Sequence, residues 1–376
     1  MTSTIPTPTS LDAVPGAVEA ELRAFFDDAV PAAAAIAPVV GEAAELIREF
    51  VLRGGKRIRP VFAFAGWRCG TSSSDRAVAG AAAEDDAPGP RDALRVCAAL
   101  ELVQACALIH DDIIDRSDTR RGHPTIHRQF EEGHRAAGWL GAADHYGEGA
   151  AILLGDLALA WADDLLAGAG FAPDVFGQVT PVWSGMRTEV LAGQLLDIRT
   201  EASGDESPAA AHRVMRFKTA AYTVERPLQL GAVIGGGDDA LVDALRSFGT
   251  DIGVAFQLRD DLLGVFGDPS VTGKPAGDDL LAGKRTALLA AALDFVDTND
   301  PVAAQKLRDG IGHDLGPADL AEITGIIENS GAVQAVEQQI DGLVDSALTT
   351  LAASNATPAA KSELTDLATA MTRRQT

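Results

Sequence analysis

Apolar residues recur at helical spacing over most of the chain. Val18, Leu22, Phe25 and Phe26 fall on one side of the first such stretch, and Ala43, Leu46, Ile47, Phe50 and Val51 repeat the pattern before Gly54 and Gly55 stop it. Pro60 opens a buried helix through Trp67, and a long helix is predicted from about Arg91 to Asp115. A loop over residues 133–149 leads to a helix beginning near Ala150, and residues 173–199 form another long one. After a polar break at 201–207 the helical pattern continues to Phe266, pausing at Gly235, Gly236 and Gly237. Residues 272–283 read as a Gly/Lys/Asp loop, and the C-terminal remainder of the chain reads as amphipathic helices with a polar tail. Residues 1–15, rich in Thr, Ser and Pro, are expected to be a disordered tail, and 71–90 a flexible surface insert in a helical domain at 16–373. No alternating run is long enough to build a sheet. The expectation is an all-α, single-domain helical bundle with its site in the core between facing helices.

Composition narrows what such a bundle can do. The 376 residues are 47% hydrophobic, enough for a large core, and only 5% are aromatic, so Ala- and Leu-rich helices pack closely. A net charge of −23 argues against nucleic acid, and an anionic substrate would need local positive charge or metal. Cys69, Cys97 and Cys106 lack metal-ligand spacing and read as reduced core thiols of a cytoplasmic protein. No Lys or Arg precedes Arg23 and no signal-like apolar core follows Met1, which fits that location. Apolar runs such as residues 31–40 are too short to span a bilayer, so no transmembrane segment is expected.

The chemistry concentrates where acidic helix ends meet basic loops. On a helix Asp111 and Asp115 are one turn apart, with Asp112 beside them, so three carboxylates converge. Mg²⁺ relieves their repulsion, and its shell is usually completed by water and substrate phosphate. Arg120 and Arg121 follow as fork-shaped phosphate donors. Asp260 and Asp261 form a second acidic helix end, continued by a loop holding Lys274, Asp278, Asp279 and Lys284. Two such helices facing each other could hold a metal cluster. Lys56 and Arg59 sit at a helix start, where backbone N–H groups and the helix dipole also favour an anion. Lys218 and Thr219 add a cation and a hydroxyl, Gln194 and Asp197 either face the same cavity or cap an end, and His110 reads as a neutral, hydrogen-bonded neighbour of the acids.

In their order, GGKRIRP, ELVQ, LIHDDIID, TRRGHPTIH, GDLALA, GQLLDI, KTA, FQLRDD and TGKPAGDDLLAGKRT make residues 54–286 resemble the trans-isoprenyl diphosphate synthases, the polyprenyl synthetase family. The resemblance implies an isoprenoid-synthase-type bundle with a central apolar cavity and a homodimer. It makes Asp111, Asp112 and Asp115 the first aspartate-rich motif and Asp260 and Asp261 the second, with about three Mg²⁺ between them. Arg120, Lys218 and Lys274 would hold the allylic diphosphate, with Lys284 also at the substrate, and Lys56, Arg59, Gln104 and Arg121 would bind isopentenyl diphosphate. The chemistry implied is ionisation of an allylic C–O bond, attack by the alkene of isopentenyl diphosphate, and proton loss, with oxygens of Lys218, Thr219 and Gln257 facing the cation. Two departures matter. Gln104 stands where many bacterial members carry His, and Gly264 stands where the second motif usually ends in Asp; Asp278 is taken as the family's loop acid. Product length depends on the tunnel under the first motif, bordered by Val103, Cys106 and Ala107. The small size of Cys106 and Ala107 implies growth past fifteen carbons, most commonly to the twenty of geranylgeranyl diphosphate, with Val103 a further turn down as a candidate floor. The rivals are a longer-chain synthase, a terpene cyclase, which has no use for GGKRIRP, and a non-catalytic partner subunit, which would usually have lost acids from the first motif.

Overall fold

The computed structural model describes residues 7–72, 88–268 and 276–373. Its helices are α1 (Val14–Ala34), α2 (Pro38–Leu52), α3 (Ile58–Thr71), α4 (Pro90–Ile114), α5 (Ile126–Ala137), α6 (Ala143–Ala167), α7 (Pro173–Ser203), α8 (Pro208–Val214), a π-helical stretch (Met215–Glu225), α9 (Arg226–Ile234) and α10 (Asp239–Phe266). After the last loop come α11 (Asp278–Leu281), α12 (Ala287–Asn299), α13 (Pro301–Gly310), α14 (Pro317–Ser330), α15 (Ala332–Ala353) and α16 (Pro358–Thr372). Their starts follow from the sequence. Pro38, Pro90, Pro208, Pro301, Pro317 and Pro358 each occupy a first helical position, where a missing N–H costs nothing. Ser207, Asp238, Thr286, Asp300 and Thr357 cap their helices by accepting a backbone N–H three residues on.

The described residues divide into two compact units. One holds the residues up to Thr71, those from α4 to Thr180, and Leu230–Gly237; the other holds Pro181–Gln229 and the residues from Asp238 onward. In the first unit α4 is the axis, packed by α1, α3 and α6, with α5 and α2 also laid on α6. It is apolar nearly all round because it is enclosed nearly all round: Leu94, Ala98, Leu100, Leu102, Val103, Cys106 and Ile109 are all buried. It is also the one described helix long and apolar enough for a bilayer, but 72% of that apolar window is covered by the rest of the protein. In the second unit α10 plays the same part against the π-helical stretch, α12, α15 and α16, around Leu258, Leu262, Val265, Leu293, Ile327 and Ile340.

Three details differ from the sequence expectation. Packing starts before residue 15, since Leu11–Ala13 form a 3₁₀ turn and Leu11 is buried. The loop expected at 133–149 is mostly helix: α5 runs to Ala137, stops at Gly138 in the left-handed conformation (φ 64°), and α6 starts at Ala143. Its glycines at 147 and 149 sit inside α6, and Gly147 is needed for contact, because a Cβ there would lie 2.3 Å from the His127 carbonyl oxygen. Last, a two-residue antiparallel pair, β1 (Thr119–Arg120) with β2 (His123–Pro124), interrupts the helices. Most of the expected surface insert, residues 73–87, lies outside the described residues, as do 1–6 of the tail.

Phe248 is fully buried in the second unit, whereas Val302 is 69% exposed. Phe248→Ala is expected to lower unfolding free energy by about 3–5 kcal/mol through the cavity it leaves, with Val302→Ala nearly neutral, as read from urea midpoints.

Candidate active site

In the first unit, α4 delivers its acids at its C-terminal turn, where the dipole disfavours negative charge and some other cation must compensate. Arg120 supplies part of that compensation. Its Nε donates to Asp112 Oδ1 at 2.8 Å, one Nη lies 2.7 Å from the same oxygen, and Asp111 Oδ2 is 3.6 Å away. Asp112 is 1% exposed. Burial raises its carboxyl above the usual carboxylate range, Arg120 opposes that, and Asp111 adds to it. The other oxygen, Asp112 Oδ2, is buried with no hydrogen-bond partner among the described residues. Asp111 is half-buried and Asp115 is exposed.

The basic loops are set by unusual backbone. Arg121 and Gly122 form the two-residue turn between β1 and β2 with φ of 51° and 77°, the positive pair of a tight hairpin turn. Arg57 and Arg116 are the other non-glycine residues at positive φ among those described (48° and 52°). Conformations of this type cost about 1–3 kcal/mol each and persist where the surroundings enforce them. Here the enforcers are visible. Arg57 is buried against Glu101 in an ion pair and donates to the Val51 carbonyl at 2.6 Å, and Arg121 donates to the Gly54 carbonyl. Gly55 at φ 149° passes under the Arg121 guanidinium, where even a Cβ would lie 3.1 Å from Nη1. The result is a crowd of cations. Burial, then the charges of Arg120, Arg57 and Arg59, pull the Arg121 guanidinium below its ordinary range, with Glu101 offsetting part of this. Such a cluster favours an anion. Beside it, Phe50, Arg53, Arg120, Arg121, His123 and Pro124 line a pocket of about 70 Å³. Of the other residues expected at this end, Lys56 is exposed and Arg59 and Gln104 are half-buried.

His110 is held as a neighbour of the acids: its Nε2 lies 3.1 Å from the Ile152 carbonyl and 3.7 Å from Asp156, and its Nδ1 is near Cys106 Sγ. Val103 and Cys106 are buried along α4 and Ala107 is half-buried.

In the second unit, Asp261 is 4% exposed and accepts from Gln257 Nε2 (2.8 Å) and from the Ala287 backbone N–H (3.1 Å). Gln257, whose oxygen is expected to face a reacting cation, donates its Nε2 to this acid. Burial, with the charges of Asp279 and Asp260, pushes Asp261 up to about 7. Asp260, one residue before, is exposed. Asp279, the neighbour of the expected loop acid Asp278, lies at this corner. Gly264 leaves the space it fills, since a Cβ at 264 would lie 1.9 Å from Asp279 Oδ2. Lys284 Nζ lies 3.4 Å from Asp279 Oδ1, and Lys218 Nζ lies 2.6 Å from Asp197 Oδ2, so Asp197 is the lysine's partner. Lys274 lies outside the described residues. Three partners, Glu101, Asp279 and Asp197, thus became apparent only in the fold; the spacing of Asp279 to Lys284 was the one sequence signal among them.

Both acid sets suit Mg²⁺: their donors are hard oxygens, and a divalent cation would relieve the orphaned Asp112 oxygen and the excess negative charge at Asp261. Among the described residues no three His, Cys, Asp or Glu side chains form a closed metal cage.

Two acidic helix ends and a guanidinium cluster on a mainly helical chain fit metal-assisted chemistry on a diphosphate. Comparison with known proteins gives the family. The family model described as polyprenyl synthetase matches residues 41–327. A geranylfarnesyl diphosphate synthase of Aeropyrum pernix is 32% identical over 84% of this chain and 88% of its own. A geranylgeranyl diphosphate synthase of Mycobacterium tuberculosis is 34% identical over 68% of this chain and 69% of its own. The crystal structure of a Corynebacterium glutamicum geranylgeranyl pyrophosphate synthase, complexed with isoprenyl diphosphate and magnesium, is 47% identical, covers 97% of this chain and all of that one, and superposes with a TM-score of 0.90. The chain belongs to the polyprenyl synthetase family.

A raised carboxyl pKa has a consequence for stability. The folded state holds the Asp261 proton up to about pH 7 and the unfolded state releases it near 3.8, so folding loses stability as pH rises through this window. In chelator, wild-type melting temperature is expected to fall between about pH 4 and about pH 7, the window linkage gives, whereas Asp261→Asn, neutral throughout, melts higher at the alkaline end with a flatter profile. A steeper fall in the variant would remove Asp261 as the cause.

Proposed function

We propose that this prenyltransferase condenses isopentenyl diphosphate with allylic diphosphates to geranylgeranyl diphosphate in an Mg²⁺-dependent reaction. What carries the reading is 47% identity over 97% of the chain to a geranylgeranyl pyrophosphate synthase. Small side chains at Cys106 and Ala107, with Val103 a turn further along α4, support a product longer than fifteen carbons. A second reading, growth to twenty-five carbons, is favoured by likeness to the Aeropyrum enzyme over 84% of the chain.

Asp111, Asp112 and Asp115 would hold Mg²⁺ at the first acidic end, and Asp260, Asp261 and Asp279 at the second. Bound metal would supply charge that stabilises the leaving diphosphate. Arg120, already oriented by Asp112, offers its remaining N–H groups to the allylic diphosphate, and Lys218, Lys274 and Lys284 are further cations for that group. Lys56, Arg59, Gln104 and Arg121 bind isopentenyl diphosphate. The excess positive charge around Arg121 supports this, since an arriving diphosphate removes the mutual repulsion of the guanidinium groups. Preorganised cations of this type need no rearrangement as negative charge builds on the leaving group. The oxygens of Lys218 and Thr219 face the developing cation, while Gln257 acts through Asp261.

The chain is also proposed to act as a cytoplasmic homodimer. Leu191 (51% exposed), Leu195 (67%) and Ile198 (37%) make an apolar row at helical spacing on α7. Light scattering coupled to size exclusion is expected to give twice the chain mass; a monomer would overturn this.

The reaction is tested by incubating the protein with Mg²⁺, isopentenyl diphosphate and dimethylallyl, geranyl or farnesyl diphosphate, with product length read by mass spectrometry. A twenty-carbon product, lost in chelator, is expected, and Asp111→Asn should reduce turnover about a hundredfold or more with the fold intact. Near-normal turnover of that variant would sink the site assignment.

A further inference from the structure

Lys218 and Thr219 lie in a π-helical stretch of 11 residues, Met215–Glu225, bounded by α-helical turns on both sides. The Arg226 N–H still reaches back five residues to the Ala221 carbonyl. Helices of i→i+5 bonding are rare and mostly a single turn long, so a stretch of this length needs something to hold it.

The holding group is Glu225, a carboxylate 1% exposed that no part of the reaction above uses. Arg216 Nη2 lies 2.5 Å from one of its oxygens, and Arg246 of α10 places Nη2 and Nε 3.1 and 3.3 Å from the other. The next residue, Arg226, turns to Glu189 and Gln229 instead. Arg216 and Glu225 are nine positions apart. At 3.6 residues per turn that is two and a half turns, which puts the two side chains on opposite faces of an α-helix. A π turn takes up about one residue more, so nine positions approach two full turns and the side chains share a face. The Arg216–Glu225 pair closes in π winding and is separated in α winding. Buried ion pairs add little net stability but can select one arrangement over another.

The same stretch is gripped where the functional residues sit. A Cβ on Gly193 of α7 would lie 2.3 Å from Lys218 N, and one on Gly253 of α10 would lie 2.8 Å from the Ala220 Cα and carbonyl oxygen. Backbone meets backbone on both sides, and Asp197 takes the Lys218 ammonium. Rewinding the stretch as α-helix would turn Lys218 relative to Glu225 by roughly a third of a turn.

We propose that Glu225 and Arg216 are a positioning pair for the condensation, holding residues 215–225 in π winding and so setting the direction in which Lys218 and Thr219 present their oxygens and ammonium. This rests on the assignment of Lys218 and Thr219 to the reaction.

The test compares Arg216→Met, Arg216→Lys and Lys218→Ala by steady-state kinetics with Mg²⁺, isopentenyl diphosphate and farnesyl diphosphate, alongside melting curves and a crystal structure of Arg216→Met. Arg246 still neutralises Glu225 in these variants. Arg216→Met is expected to lower kcat about ten- to hundredfold, the scale of a misplaced reacting group, with KM for isopentenyl diphosphate within about twofold, in a protein that melts lower but stays folded at the assay temperature. Arg216→Lys recovers most of kcat, and the crystal shows α winding. If Arg216→Met does not fold, Glu225→Asp, which keeps the charge and shortens its reach, takes its place with the same expectations. Wild-type kcat, a kcat loss that follows melting temperature without recovery in Arg216→Lys, or retained π winding would overturn the pairing while Lys218→Ala remains impaired. Normal turnover in Lys218→Ala would instead remove the assignment on which it rests.

Discussion

Crowded like charge is the constraint on which both halves of this protein's chemistry depend. Carboxylates gather at the ends of two apolar helices, and guanidinium groups gather in the loops around residues 54–59 and 119–124. Neither arrangement is stable for its own sake. Asp112 keeps one oxygen buried without a partner among the described residues, Asp261 is driven toward protonation near neutral pH, and Arg121 is held below its ordinary range. On the proposed function, each is a group whose missing partner is a ligand of opposite charge. Stability is given up locally so that the ligand's arrival, rather than folding, satisfies the charges.

Holding such groups in place falls to oppositely charged or hydrogen-bonding partners beside them. Glu101 neutralises Arg57 inside the first unit and keeps a left-handed backbone between Lys56 and Arg59. The hairpin turn at Arg121–Gly122 aims the two arginines, and Asp112 fixes the first of them. In the second unit Gln257 and the Ala287 N–H orient Asp261, while Asp197 and Glu225 do the equivalent for the π-helical stretch. Charged partners beneath charged functional groups are the recurring device, and they are placed on helices because helices repeat positions accurately.

Gly264 shows how a departure from a motif can be absorbed. Read in the sequence, it is a lost carboxylate in the second acidic set. In the structure the vacated volume is where the Asp279 carboxylate sits, so a third acid is present at that corner from a different element.

Much was legible in residues alone. Helical periodicity read the chain as helices joined by loops, though it took most of α5 and the start of α6 for loop, and the acidic helix ends and basic loops pointed to diphosphate and metal chemistry, because those signals are local: they depend on neighbours three or four positions apart. The family could be read from the order of its motifs. Tertiary structure alone decided that Asp279 fills the space at Gly264, that Gln257 donates to Asp261, that Glu101 and Asp197 are partners of Arg57 and Lys218, and that residues 215–225 wind as a π-helix. These are matters of direction and long-range contact. A side chain's direction changes by about 100° per residue on a helix, so a small difference in winding or register, invisible in a string of letters, determines which groups meet.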